Sequence, residues 1–352
     1  MKKFFTLMLI FTLAMTTFLV GCGADKEETK KPDQQAQPDQ ATEKQLKVAM
    51  VTDVGGVNDQ SFNQSAWEGL QRAEQELGIK ASYKESKQDA DYAPNMEQLL
   101  DEENDLIWGI GFKMGDTILA EAQKNPDQKY AIIDYAYDQT PENLVGVVFK
   151  AEQASFLVGY IAGKMTKTGK VGFVGGIEGV VIDGFDYGFQ AGVKYANPNV
   201  TVLRQYAESF TDSAKGKAIA NSMYQDGADI VFHAAGGVGD GVIEAAKEQG
   251  KFAIGVDRDQ NNLAPDNVIT SAMKRVDNGI YNIVKQLKEG NFPGGQTVVL
   301  GLAEGAVDIA PSSDKHVPKE ILDEVNGLKE KIINGEIEVP YNKETFDKFE
   351  VK

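Results

Sequence analysis

From Leu46 to Met273 the chain alternates short, almost wholly apolar runs with longer amphipathic ones, and this rhythm restricts the fold more than any other feature. The runs Leu46–Thr52, Leu106–Ile110, Tyr130–Asp134, Val145–Phe149, Val171–Val174, Val200–Tyr206, Ile230–His233 and Phe252–Val256 have strand length and β-branched character. Helix-length stretches lie between most of them. Ser61–Leu77 carries Phe62, Ala66, Leu70, Ala73 and Leu77 at helical spacing. Asn95–Asp101, Asp116–Lys124, Ala151–Thr166, Ile182–Tyr195, Asp212–Asp226 and Gly239–Gln249 read the same way. Strands apolar on both faces belong in parallel sheets covered by helices on each side. The class is therefore α/β. The roughly 300 residues after Gln45 are too many for one small doubly wound sheet, so two such lobes are expected. Beyond Lys315, Lys and Glu surround a stripe of Ile321, Leu322, Val325, Leu328 and Ile332, which predicts a covering helix.

An address and a tether precede this body. Met1-Lys2-Lys3 is positive, and the apolar run Phe4–Val20 is too short for a membrane span, which needs about 20 residues. It reads as a signal peptide covering residues 1–21. The run ends Leu19-Val20-Gly21-Cys22, which resembles the bacterial lipobox, where cleavage exposes a cysteine whose thiol carries a diacylglyceryl group. Cys22 is the expected lipidation site, and two acyl chains of palmitate type would hold the protein stably at a membrane. Gly23 to Gln45 contain no Val, Ile, Leu, Met, Phe, Trp or Tyr, so residues 22–45 are expected to be a flexible tether. Such a chain spans roughly 25–30 Å.

Charge and rare residues exclude several classes. There are 36 Lys+Arg against 53 Asp+Glu, a net charge of −17, which argues against a nucleic-acid partner. One cysteine and two histidines exclude a disulfide framework and a Cys/His zinc site. His233 and His316 join no nucleophile–base grouping, so no catalytic residue, metal or cofactor is expected. Gly236-Gly237-Val238-Gly239-Asp240-Gly241 lacks the spacing of a dinucleotide loop, and Asp240 would repel a phosphate at that helix start. Close backbone approach to a neutral group is the better reading.

In parallel α/β lobes ligands bind beyond the carboxyl ends of the strands. Those ends are followed here by Asp53 to Asp59, Gly111-Phe112, Asp134-Tyr135, Gly175-Gly176, Glu208 to Phe210, Ala234 to Gly239, and Asp257. The set is polar, aromatic and glycine-rich, unlike the strands that feed it.

The segment Val51-Thr52-Asp53-Val54-Gly55-Gly56-Val57-Asn58-Asp59-Gln60-Ser61-Phe62-Asn63-Gln64 resembles the opening signature of the basic membrane protein family of lipoproteins. These are purine-nucleoside receptors of the PnrA type, serving ABC importers. The likeness continues through Gly109 to Phe112, Ile132 to Asp134, Glu152 to Gly159, Gly172 to Gly176, Ala234 to Gly239, Gly255 to Asp257 and Ser271 to Lys274. The resemblance implies a type I periplasmic-binding-protein fold, two doubly wound parallel-sheet lobes joined by three crossovers around a ligand cleft. It places residues 46–150 in a first lobe, with a return segment near 276–300, and residues 151–275 with 301–352 in a second.

By position, it further implies that Asp53, Asn58 or Asp59, and Asn63 read a base edge. Phe62 and Phe210 would flank the purine, and Asp134, Gly236, Gly237, Asp257 and Lys274 would surround the ribose. Each has an ordinary alternative: Phe62 and Phe210 as core, Asp257 capping the turn after its strand, Lys274 as a solvated helix-start residue. The partners implied are a purine nucleoside (guanosine, adenosine or inosine type), permease and ATPase subunits, and the membrane through Cys22. The protein would act as a monomer on the extracytoplasmic face of the cell membrane. A surface lipoprotein binding or sensing another small ligand, and an enzyme acting on nucleosides, are the competing readings.

Overall fold

The computed structural model describes residues 45–351. The expected signal peptide, the expected lipidation site Cys22 and the expected tether as far as Lys44 lie outside them. Gln45 already donates its side-chain amide to Gly78 O at 3.0 Å and Ile79 O at 3.3 Å.

In chain order the first elements are β1 (Lys47–Val51), α1 (Phe62–Leu77), β2 (Lys80–Lys84), α2 (Tyr92–Asp101), β3 (Leu106–Ile110), α3 (Gly115–Lys124), β4 (Lys129–Ile133) and β5 (Leu144–Phe149). A second series comes next: α4 (Ala151–Met165), β6 (Lys170–Gly175), α5 (Val180–Ala196), β7 (Thr201–Tyr206) and α6 (Ser213–Gln225). It continues with β8 (Ile230–Ala234), α7 (Val238–Gln249), β9 (Phe252–Asp257) and β10 (Val268–Lys274). The chain ends with α8 (Val276–Lys288), β11 (Gln296–Leu300), β12 (Val307–Ile309), α9 (Lys319–Ile333) and α10 (Lys343–Asp347).

The strands form two six-stranded sheets, ordered β11-β5-β4-β3-β1-β2 and β12-β10-β9-β8-β6-β7. All neighbours are parallel except β12, which runs antiparallel to β10. The expected two-lobed, doubly wound α/β architecture is present, with one antiparallel edge added.

Strand β1 shows why the apolar runs are continuous. Successive side chains alternate faces: Val48 and Met50 enter the core under α1 and α8 with Leu70 and Ile280, while Ala49 and Val51 enter the core under α2 and α3 with Met96, Leu99 and Ile118. In the second lobe Phe173, Phe189 and Phe232 form an aromatic core, with Phe189 and Phe232 centroids 5.1 Å apart. Ile219, Met223 and Val242 fill the opposite face.

The chain crosses between lobes three times, after Phe149, after Lys274 and after Leu300. The crossings are stitched together: Lys150 N donates to Leu300 O at 2.8 Å, Arg275 N to Ala306 O at 2.8 Å, and Leu302 N to Gln153 Oε1 at 2.9 Å. Two helix pairs flank these crossings, and each depends on a glycine. A Cβ on Gly69 of α1 would stand 2.6 Å from Asp277 O of α8, and one on Gly188 of α5 would stand 2.5 Å from Glu152 O of α4.

Candidate functional site

The strand order reverses beside β1 and β3 in one sheet and beside β6 and β8 in the other, which is where open α/β sheets bind ligands. The two crevices face each other. Between them lies a pocket with about 600 Å³ of empty space, its mouth included, a size common for small-molecule sites. The first lobe contributes Asp53, Gly55, Asp59, Phe62, Asn63, Gly111, Phe112, Lys113 and Asp134. The second contributes Val181, Ile182, Phe185, Phe210, Ala234, Ala235, Gly236, Val256, Asp257 and Lys274.

Asp59 organises the first-lobe loop. Its carboxylate accepts from three backbone N–H groups at the start of α1, Ser61 at 3.0 Å, Asn63 at 2.8 Å and Gln64 at 3.0 Å, and from Asn63 Nδ2 at 2.9 Å. A carboxylate at a helix N-terminus satisfies orphan donors and complements the dipole. Asp59 thus performs the capping that Ser61, the N-cap residue, would otherwise provide. Freed from that task, the Ser61 hydroxyl crosses the cleft and donates to Asp257 Oδ2 at 2.5 Å.

Asn63 is equally engaged. Its Nδ2 donates to Asp53 Oδ1 at 2.7 Å as well as to Asp59, and its Oδ1 accepts from Asp53 N at 3.2 Å. Burial pushes the Asp53 carboxyl up to about 6, against the pull of the Gly55 N–H and the Asn63 amide.

The far end of the pocket centres on Lys274, the last residue of β10 and only 3% exposed. Its Nζ lies 2.5 Å from Asp134 Oδ2 of the other lobe, 3.9 Å from Asp257 Oδ1, and 4.5 Å from the centre of the Phe62 ring. This rules out the alternative of Lys274 as a solvated helix-start residue: a buried ammonium is tolerable only between partners. Burial pushes Asp257 up to about 6, opposed by Lys274 and the Ser61 hydroxyl. Phe62 lies between the two polar ends.

Apart from Asp257 and Lys274, the second-lobe wall is apolar. Phe210 stands edge-on to Phe112 across the cleft, centroids 6.3 Å apart, and its ring occupies the space a side chain at Gly176 would need. Behind this wall the lobes are bridged again. Gln260 Nε2 donates to Gln60 O at 3.1 Å, and Arg258 pairs with Glu68 through bonds of 2.6 and 3.2 Å. His233 is fully buried, with Nε2 3.0 Å from Gln260 Oε1, and burial lowers it to about 4, so it is a neutral support for Gln260.

A two-lobed cleft of this kind is shared with solved solute-binding proteins. That of the ABC transporter system from Aeropyrum pernix K1 superposes with a TM-score of 0.79 at 30% identity, covering 86% of this chain and 96% of that one. In sequence, the family described as ABC transporter substrate-binding protein PnrA-like matches residues 46–343. The chain belongs to that family. Basic membrane protein A of Borreliella afzelii is 46% identical over 86% of this chain and 94% of its own length. The CD4+ T-cell-stimulating antigen of Listeria innocua is 42% identical over 96% of this chain and 99% of its own. The resemblance drawn from the Val51–Gln64 segment therefore holds.

Nine residues singled out from the sequence of this PnrA-like protein meet in the pocket: Asp53, Asp59, Phe62, Asn63, Asp134, Phe210, Gly236, Asp257 and Lys274. Two do not. Asn58 is exposed, on the outside of the turn whose next residue, Asp59, points inward. Gly237 sits at the N-cap of α7. Lys113, Val181, Ile182 and Phe185 line the pocket without having been singled out. The three from α5 look like ordinary apolar helix positions, and only the Gly-rich segment Gly175–Gly179 before them hints that this helix starts at a cleft.

Proposed function

We propose that this PnrA-like substrate-binding protein captures a purine nucleoside between its two lobes and delivers it to the permease and ATPase of an ABC importer. The supporting observation is the layout of the pocket. One aromatic face, Phe62, lies between a hydrogen-bonding end at Asp53 and a charged end where Asp134, Asp257 and Lys274 converge. Base stacking on an aromatic ring is worth about 1–3 kcal/mol. Carboxylates suit vicinal ribose hydroxyls because each accepts two hydrogen bonds. Asp53, Asn63 and Asp59 are assigned to the base side, Phe62 and Phe210 to the faces of the purine, and Asp134, Gly236, Asp257 and Lys274 to the ribose.

Mass spectrometry of the protein as purified tests this reading. An intact nucleoside carried through purification supports it; free base with ribose would point to an enzyme, and another small molecule to a different receptor. Calorimetry with inosine and its monophosphate adds a second check. The carboxylates Asp53, Asp59, Asp134 and Asp257 outnumber the cations Lys113 and Lys274 in the pocket, so an added phosphate is repelled. Comparable affinity for both would sink the neutral-nucleoside reading.

The receptor is proposed to act as a monomer at the extracytoplasmic face of the cell membrane, held by acyl chains on Cys22. Cys22→Ser then releases a folded body into the soluble fraction. A serine variant that stays with membranes after a high-salt wash would disprove the anchor.

A further inference from the structure

The two oxygens of Asp53 are not equivalent. Oδ1 accepts from Gly55 N at 2.8 Å and from Asn63 Nδ2 at 2.7 Å. Oδ2 has no hydrogen-bond partner among the described residues. It faces the pocket beside Gly111, 3.6 Å from the point where a Cβ on that glycine would stand, and the Phe62 ring edge is 3.4 Å from the same point. Oδ2 and the Phe62 ring therefore border one small space. The neighbouring Asn63 amide cannot adapt to a ligand, because both its hydrogens are already given to Asp53 and Asp59.

The surroundings move the Asp53 carboxyl toward the neutral pH range. Burial pushes it up to about 6, and the charge of Asp59, from the loop before α1, acts in the same direction. The Gly55 N–H, the Asn63 amide and Lys113, which lies just beyond β3, pull it down. Lys113 is itself paired with Asp89 at 2.9 Å. From α2 the nearby titratable group is Tyr92, whose hydroxyl donates to Asp89 at 2.9 Å.

We propose that Asp53 Oδ2 reads the base in either of two protonation states, so that one pocket serves both 6-oxopurine and 6-aminopurine nucleosides. As a carboxylate it accepts from the ring N–H that a 6-oxopurine such as inosine carries. As a carboxylic acid it donates to the bare ring nitrogen at the same place in adenosine. This inference rests on the nucleoside reading above and adds to it a specificity set by pH. Adenosine binding takes up a proton, so its affinity falls as pH rises; inosine binding requires the ionised form, so its affinity rises.

Calorimetry on the full chain with inosine and adenosine, between pH 5.5 and 7.5 and in two buffers of different ionisation enthalpy, tests the proposal. The adenosine-to-inosine affinity ratio is expected to fall at least about tenfold over that range, because strict protonation control changes it about tenfold per pH unit. Adenosine binding at the upper pH should take up close to one proton. In Asp53→Asn, whose amide does not titrate, the ratio should become independent of pH while either nucleoside still binds. A wild-type ratio constant within about twofold overturns the proposal and leaves the nucleoside reading intact. If neither nucleoside binds at any pH, the nucleoside reading fails, and this inference fails with it.

Discussion

Asp134 and Asp257 hold the same place in the two lobes: one comes directly after β4, the other ends β9, and both adopt left-handed backbone, with φ of 67° and 62°. Non-glycine residues in this region are uncommon, and aspartate tolerates it better than most. The turn aims both carboxylates at Lys274 from opposite sides. The same correspondence links Gly69 with Gly188, each admitting the helix that begins after a crossover. The two lobes are variations on one plan, and their repeated strand-end aspartates meet at one lysine.

If Asp257 accepts the ribose hydroxyls, Asp257→Ala should weaken nucleoside binding by two or more decades. Hydrogen bonds to charged groups are worth about 1.5–3 kcal/mol each. The loss should be smaller for 2′-deoxynucleosides, which already lack one bond. Calorimetry with both ligand classes on both proteins makes a thermodynamic cycle, and equal losses would move Asp257 out of the ribose site.

Ser61→Ala removes a hydroxyl that meets Asp257 only when the lobes are together. Nucleoside affinity should drop about tenfold, chiefly through faster dissociation. Stopped-flow fluorescence would show this, and an unchanged off-rate would deny the bond any part in holding the lobes shut.

Asp240 at the start of α7 has a buried Oδ1 with no partner among the described residues, and burial, with Asp59 adding, pushes its carboxyl up to about 6. A carboxyl raised in the folded state binds protons that the unfolded chain releases. Its ionised form therefore costs stability at neutral pH, and the cost disappears as pH falls below about 4. Discounted for partial exposure, the cost is on the order of 1 kcal/mol. Asp240→Asn should raise Tm by about 2–4 °C at pH 7.5 and leave it unchanged near pH 4. A shift equal at both pH values would show that ionisation is not the cause.

Gly69→Ala and Gly327→Ala should move stability in opposite directions. The first drives a methyl group into the backbone of α8 and should cost about 1–3 kcal/mol or more. The second adds a methyl in open space on α9, with nothing within 4 Å, and should gain up to about 1 kcal/mol of helix preference. Denaturant titrations of both variants decide the matter; similar shifts would mean that α1 and α8 can separate freely.

The central strands were legible because a strand buried on both faces leaves a continuous apolar run, as in β3, where every residue is buried. The edges were not. β2 reads Lys-Ala-Ser-Tyr-Lys and is half exposed, and β12 is only three residues long. In the site, strand-end aspartates could be found by position, since topology turns the carboxyl end of each parallel strand toward the crevice. Direction could not: Asn58 and Asp59 are neighbours, and only the fold decides which of them caps α1. The burial of Lys274 depends on carboxylates 140 and 17 residues away in sequence, so no local pattern announces it. Phe185 serves at once as core and pocket wall, which makes it look like core alone.

The return of α8 and β11 to the first sheet sets an order of events. Val276, Ile280, Ile283 and Val284 complete the core of a lobe that began at Lys47, and β11 forms its edge. At about 5–20 residues per second, a ribosome needs roughly 8–30 s to pass from the end of β5 to the end of β11. Until then the face of the first sheet under α2 and α3 has all its core residues, while the face under α1 lacks α8. The first lobe is therefore completed late in the chain's own synthesis, after most of the second has already emerged.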